Sequence, residues 1–347
     1  MESKAKSKLT EPKRRDTNLF TFHVSPELWE PATKEEREHL VQMRPSTTYW
    51  KDAMRRFRKN KVALTCAWII VGILVFAWIG PLLMPYAYDQ TIRGHERLPP
   101  MFSPYFHPFG TDQLGRDLMV RVMIGTRISM TIGIVSSVII LVIGTTYGAI
   151  SGYVGGRVDN VMMRVAEVLH SLPDVLVVIL LSIVLKEPIQ SLFNSGAFRA
   201  LGRLGASLLS IFITFALLYW VNMARIVRGQ ILVLKSSEYV LAARALGARS
   251  GRIIFRHMIP NCIGTIIVTT MFQVPTAIFT ESFLSFIGLG VSTPMASLGS
   301  LVSDALNGFQ SYPHRLLIPA IMIALIMLAM NQFGDGLRDA LDPRTRE

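Results

Sequence analysis

The chain has 347 residues, of which 50% are hydrophobic and only 17% charged. A soluble domain carries nearer a quarter charged residues, so the composition excludes an ordinary water-soluble fold. The net charge of +12 does not imply a nucleic-acid partner, because the basic residues flank apolar runs and form no patch interleaved with aromatics.

Residues 1–47 are polar and mixed in charge. They read as a largely disordered cytoplasmic tail with a short helix around Lys34 to Gln42. Residues 48–61 differ. Tyr49, Trp50, Met54 and Phe57 recur at helical spacing against Lys51, Arg55, Arg58 and Lys59, the pattern of an interfacial helix lying on anionic lipid headgroups.

Four charge-free runs follow, Val62–Met84, Ile128–Gly156, Leu204–Ala224 and Met258–Thr280, of 23, 29, 21 and 23 residues. About 20 apolar residues span a bilayer core. Six spanning helices are predicted, at 62–84, 128–153, 163–185, 206–226, 261–282 and 316–334. An even number places both termini on one side. The segments assigned inside hold eighteen Lys and Arg against nine outside, which puts both termini in the cytoplasm. The one exception is the predicted outer loop at 109–127, with Arg116, Arg121 and Arg127. There Asp112, Arg116 and Asp117 are expected to pair and screen one another. The loop reads as packing on the bundle, or as a surface for an extracytoplasmic partner.

Within the second span Gly144, Gly148 and Gly152 repeat every four residues. Small residues at that spacing let helices approach closely in lipid, which supplies no hydrophobic drive of its own. Pro173 and Pro275 are predicted to interrupt the third and fifth spans, so that the carbonyls they free need partners in neighbouring helices. Polar residues in or beside spans are Glu167, His170, Asp174, Asn222, Glu281 and Asn331. Intramembrane polar groups are functional candidates. Glu167 is expected to pair with Arg164, while Asp174, Asn222 and Glu281 are candidates for a translocation path. Cys66 and Cys262 lie in or beside apolar runs, offer no disulfide or metal spacing, and read as small buried hydrophobes.

The segment at 236–260 is basic and helix-forming, yet lodged between spans. Ser236 or Ser237 can cap a helix with Glu238 in its first turn. Ala242, Ala243 and Ala245 favour that helix, and Gly247 permits a bend or a stop. A second short helix is predicted over Arg249–His257, and Pro260 opens the fifth span. A helix–bend–helix element fixed at both ends by spans can transmit a push, which a flexible loop cannot.

The order Glu238, Ala242, Gly247, His257, Pro260 resembles the cytoplasmic coupling loop of ABC importer permeases. Further stretches resemble the "C" type permeases of the dipeptide, oligopeptide and nickel group: Phe109–Asp117, Gly155–Asp159 with Met163, Arg164 and Glu167, Glu281–Gly290, and Gly334–Pro343. The resemblance covers about residues 48–345. It implies an all-α polytopic membrane protein, a type I importer permease with a six-helix domain over 62–347, in a bacterial plasma membrane. It implies an ATPase-coupling role for Glu238, Ala242, Ala243, Gly247, Arg249, His257 and Pro260. The implied partners are a homologous second permease, two ATP-binding subunits and an extracytoplasmic binding protein, with ATP and Mg bound by the ATP-binding subunits and no cofactor in this chain. No phosphate-binding G-x4-G-K-[ST] loop and no catalytic or metal motif occurs in the sequence, so a non-catalytic transport subunit is expected. The implied cargo is a di- or oligopeptide; nickel, glutathione or an oligosaccharide would suit the same machine. An ion-gradient secondary transporter would instead call for inverted repeats, and no convincing internal repeat is visible.

Overall fold

The computed structural model describes residues 48–194, 205–291 and 295–342. The tail at 1–47 and the charges at Arg199, Arg203, Arg344 and Arg346 lie outside the described residues. The described part is helical apart from its connections, the longest of them the irregular stretch 84–117 with two isolated β-bridges, Met101 to His107 and Thr111 to Asp117. The helices are α1 (Tyr49–Lys59), α2 (Lys61–Trp78), α3 (Leu118–Val154), α4 (Gly156–His170), α5 (Asp174–Asn194), α6 (Ala206–Leu218), α7 (Trp220–Leu234), α8 (Glu238–Ala245), α9 (Ile263–Phe286), α10 (Leu298–Leu306) and α11 (His314–Leu341). Among the described residues six helical stretches are long and apolar enough to cross a membrane: Lys61–Trp78, Leu118–Val154, Asp174–Asn194, Ala206–Leu234, Ser250–Phe286 and His314–Leu341.

α3 is the axis of the bundle, packing most extensively on α7 and then on α9. The glycine repeat explains the first contact. A Cβ on Gly144 would lie 2.6 Å from Met223 Cβ, and one on Gly152 would lie 2.9 Å from the Arg228 carbonyl oxygen. One on Gly148 would run into the Ala224 carbonyl. Only hydrogen fits at these three positions, and the two backbones close directly on each other. On the other flank α11 packs against α9, α2 and α10, and α5 packs on α6.

α1 carries its cationic residues outward and leaves Trp50 and Met54 exposed, with Ala53 buried. It is fastened to the end of α11: Tyr49 Oη donates to the Leu341 carbonyl at 3.1 Å, and Phe57 meets Phe333 edge-on at 5.5 Å. Asn60 then caps α2, its side chain accepting from the Ala63 amide.

Several boundaries differ from the sequence expectation. The second span begins at Leu118, not 128, and its 37 residues make a helix about 55 Å long. That exceeds a hydrocarbon core of about 30 Å, so part of the helix continues beyond it, and residues 118–127 are helix and not a loop. The third span starts at Asp174, not 163. Residues 156–170 form the separate helix α4, and the chain turns at 171–173. Pro173 therefore does not interrupt a span: it precedes α5, and its carbonyl accepts from the Leu176 amide at 3.0 Å. Pro275 does lie inside α9. The predicted short helix over Arg249–His257 is the beginning of the fifth span. The chain runs through Ser250–Arg252, a π-helical turn at Ile253–Met258 and a 3-10 turn at Ile259–Cys262 into α9. Pro260 supplies no amide hydrogen, and the change of helical pitch falls around it.

Candidate coupling element and polar clusters

Three polar constellations and one protruding element sit on this bundle. The protruding element is α8 with the turn that follows. Neither Ser236 nor Ser237 caps it with a side chain, contrary to expectation. Ser237 is the N-cap residue, but its hydroxyl donates back to the Leu234 carbonyl at 2.5 Å, and Ser236 donates to Val233 at 3.0 Å. Glu238 stands exposed in the first turn, where its charge complements the helix dipole. The helix ends in a Schellman motif: the Gly247 amide donates to Arg244 at 3.0 Å and the Ala248 amide to Ala243 at 3.1 Å. Gly247 has φ +76, a region where a side chain is strained, although open space surrounds it.

The anchorage of α8 is one-sided. Val240 is fully buried and clusters with Tyr153, Ile231, Ile253, Ile254 and Met258. Arg244 and Lys235 both lie over the Tyr153 ring, at 5.5 and 5.9 Å. Ala243 packs against this cluster. Away from this cluster Tyr239, Leu241 and Leu246 are exposed, Leu246 at 88%, as is Phe255 in the π-helical turn. Ala242, Arg249 and Pro260 are exposed and His257 is half-buried. The seven residues singled out in the sequence thus share one end of the bundle. The exposed apolar side chains of Tyr239, Leu241, Leu246 and Phe255, none of them among those seven, were not foreseen. Their signal was available as apolar residues out of register with the buried Val240.

At the same end Asp159 receives both guanidinium arms of Arg228, Nε at 2.5 Å and Nη2 at 2.6 Å, plus the Ser151 hydroxyl at 2.5 Å. The hydrogen bonds from Arg228 hold the Asp159 carboxyl below the usual carboxylate range. Arg164 meets Glu167 at 3.2 Å, as expected, in an exposed pair.

At the other end Asp112 organises the segment before α3. Its Oδ2 accepts from Arg116 Nε at 2.7 Å and Arg121 Nη1 at 2.5 Å, and its Oδ1 accepts from the Leu114 and Arg116 amides. Burial raises its pKa, but Arg121 and then Arg116 more than offset that, leaving it below the ordinary value. Arg121 is buried and also reaches Asp304 at 3.5 Å. Arg127 donates to the last carbonyls of α2, Ala77 at 3.0 Å and Trp78 at 3.3 Å. The arginines that broke the charge rule are thus occupied in folding. The expected pairing of Asp117 with Arg116 is replaced: Asp117 caps α3 through the Val120 amide and binds His107 Nδ1 at 2.7 Å, and His107 in turn meets His95 Nδ1 at 3.0 Å.

The three path candidates are not brought together. Glu281 is sealed, with Ser129 Oγ donating at 2.9 Å and Ser285 Oγ at 2.7 Å. The same serines accept from the Leu298 and Val291 amides, so Glu281 ties α3, α9 and the approach to α10. A side chain with no exposed surface touches no cargo in this state. Asp174 and Asn222 are exposed on separate helices, α5 and α7.

The described residues thus form a helical bundle whose long apolar helices suit a membrane. Residues 144–347 match the family described as binding-protein-dependent transport system inner membrane component. Residues 48–100 match the N-terminal TM domain of oligopeptide transport permease C. The chain belongs to this family of multi-pass inner-membrane permease subunits. It is 44% identical over 94% of its length, and 99% of the relative's, to the oligopeptide transport system permease protein OppC of Bacillus subtilis. It is 43% identical to the dipeptide transport system permease protein DppC of the same organism, covering 92% of this chain and 94% of that one. It is also 43% identical to OppC of Haemophilus influenzae, covering 86% and 89%.

Proposed function

We propose that this chain is one half of the membrane path of an ATP-driven importer of di- or oligopeptides, with both termini in the cytoplasm. A homologous second permease completes the path. Two ATP-binding subunits, which hold ATP and Mg, seat on the cytoplasmic end, and an extracytoplasmic binding protein delivers the peptide. α1 lies on lipid headgroups. Asp174 and Asn222, exposed on α5 and α7, face the path in the assembled pair.

The observation that carries this reading is the two-sidedness of α8. Val240 and its cluster lock it to α3, α7 and the fifth span, while Leu241 and, at its C-terminal end, Leu246 remain uncovered. Exposed apolar side chains outside the spans mark a protein contact. Glu238 anchors the element on the ATP-binding subunit, and Ala242 permits close approach. Gly247 sets the bend, and Arg249, His257 and Pro260 carry motion into the fifth span. Co-purification of the ATP-binding subunits with the full chain tests it. Glu238→Ala and Gly247→Val are expected to lose the subunits and peptide uptake together while the permease still reaches the membrane. Unchanged uptake in both variants would refute the assignment.

A further inference from the structure

α8 is joined to the bundle along two lines. Its most extensive packing is on the π-helical turn at 253–258, which leads into the fifth span. The second line runs to α3 through charged side chains. Arg244, in the last turn of α8, and Lys235, the residue that closes α7, both lie over the ring of Tyr153. Tyr153 is the penultimate residue of α3. It is buried in the same cluster as Val240, so its ring is held in place while the two cations come to it from different helices.

Neither cation has a carboxylate within ion-pair distance among the described residues. Asp159 bears on Lys235 from further away, but its oxygens are taken by Arg228. A cation within about 6 Å of an aromatic centroid is attracted by the negative face of the ring, and Tyr153 is the group that offers such a face to both. Lys235 adds a hydrogen bond from Nζ to the Val154 carbonyl at 3.4 Å, at the negative end of the α3 dipole. Gly155 makes room for it. The chain turns there at φ +72, and a Cβ at that position would lie 3.2 Å from Lys235 Nζ.

We propose that Tyr153 is a positioning residue for coupling, whose ring ties the end of α8 to the ends of α3 and α7. A connection through 253–258 alone would move the fifth span past α3. The second line makes α3, the axis of the bundle, and α7 follow α8 together with that span. The inference rests on the coupling role proposed for α8 and extends it to a side chain outside that helix. An arginine stem also packs on apolar surface, so the test must separate the ring face from mere packing.

The measurement is peptide imported per ATP hydrolysed, by the full chain reconstituted in vesicles with its second permease, ATP-binding subunits and binding protein. Tyr153→Leu keeps an apolar side chain and removes the ring. It is expected to lower the ratio about fivefold, the equivalent of two cation–π contacts at exposed sites. Tyr153→Phe, which keeps the ring, is expected to restore the ratio to within about twofold of wild type. Arg244→Gln added to Tyr153→Leu should bring no further loss, because the contact it breaks is already gone. Lys235→Gln combined with Arg244→Gln removes the same two contacts from the side of the cations. It is expected to give the same fall, and it decides the matter if Tyr153→Leu does not assemble. A wild-type ratio in the assembled Tyr153→Leu complex, or in the doubly substituted Lys235→Gln, Arg244→Gln complex, would overturn the proposal. So would equal losses in Tyr153→Leu and Tyr153→Phe. A further loss from Arg244→Gln on top of Tyr153→Leu would also overturn it, by placing Arg244 against the ATP-binding subunit. A wild-type complex that fails to import on ATP would instead refute the coupling role of α8 itself.

Discussion

Asp112 shows how one carboxylate resolves an apparent contradiction in the charge pattern. Arg121 is buried and depends on it, so Asp112→Ala is expected to destabilise the purified chain by about 3 kcal/mol, the cost of leaving a buried charge unpaired, read as a fall in the thermal midpoint. The sign of its pH dependence follows from its depressed pKa. The stabilisation is complete above the unfolded carboxylate value of about 3.9 and disappears as pH falls through the lower folded value. The thermal midpoint should therefore show an acid step below about pH 4 that shrinks in Asp112→Asn. An identical step in that variant would assign it to other groups. Gly148 is the second decisive position. Gly148→Leu forces α7 away from α3 and is expected to cost about 1–3 kcal/mol, as overpacking does, whereas a glycine with open space around it, such as Gly229, tolerates alanine with a loss no greater than about 0.5 kcal/mol.

For α8 the division between its two sides makes opposite predictions for neighbouring substitutions. Val240→Asp places an unpaired charge in the cluster of Ile253 and Met258 and should unfold the element, lowering stability by about 3 kcal/mol. Leu246→Asp, on an exposed residue, should leave the thermal midpoint within about 0.5 kcal/mol of wild type yet abolish retention of the ATP-binding subunits. Equal effects on both properties would remove the distinction between anchor and contact. How far such elements can be read from sequence depends on range. The helix at 238–245, the turn at Gly247 and the packing glycines follow from local spacing. The boundaries at Leu118 and Asp174 do not, because hydropathy registers lipid exposure while helices continue beyond the bilayer or break within an apolar stretch. Arg121 in Leu118–Ile128 carried a signal nonetheless, since a cation in an apolar helix needs a partner. Its partner Asp112, the His95–His107–Asp117 chain and the serines around Glu281 are contacts that only the folded chain brings together. The π-helical turn at 253–258 has no sequence signature beyond Pro260.

For the whole molecule, the bundle offers two dissimilar ends joined by α3, α7 and the continuous fifth span from Ser250 to Phe286. In the proposed coupling, displacement of α8 passes through its contacts with Ile253, Ile254 and Met258 into that span, and through Glu281 and its serines to the approach to α10. This predicts that import in reconstituted vesicles stops when ATP is withheld and survives collapse of the ion gradients; the opposite pattern would identify a secondary transporter. The most direct measurement is site-specific crosslinking from Leu246→Cys in the assembled complex in sealed inner-membrane vesicles, where Cys66 and Cys262 are both buried and contribute little background. The account predicts a crosslink to an ATP-binding subunit, and labelling of position 246 in the partner-free chain only by reagents on the cytoplasmic side. Labelling from the opposite side, or no crosslink in a complex that imports peptide, would contradict it.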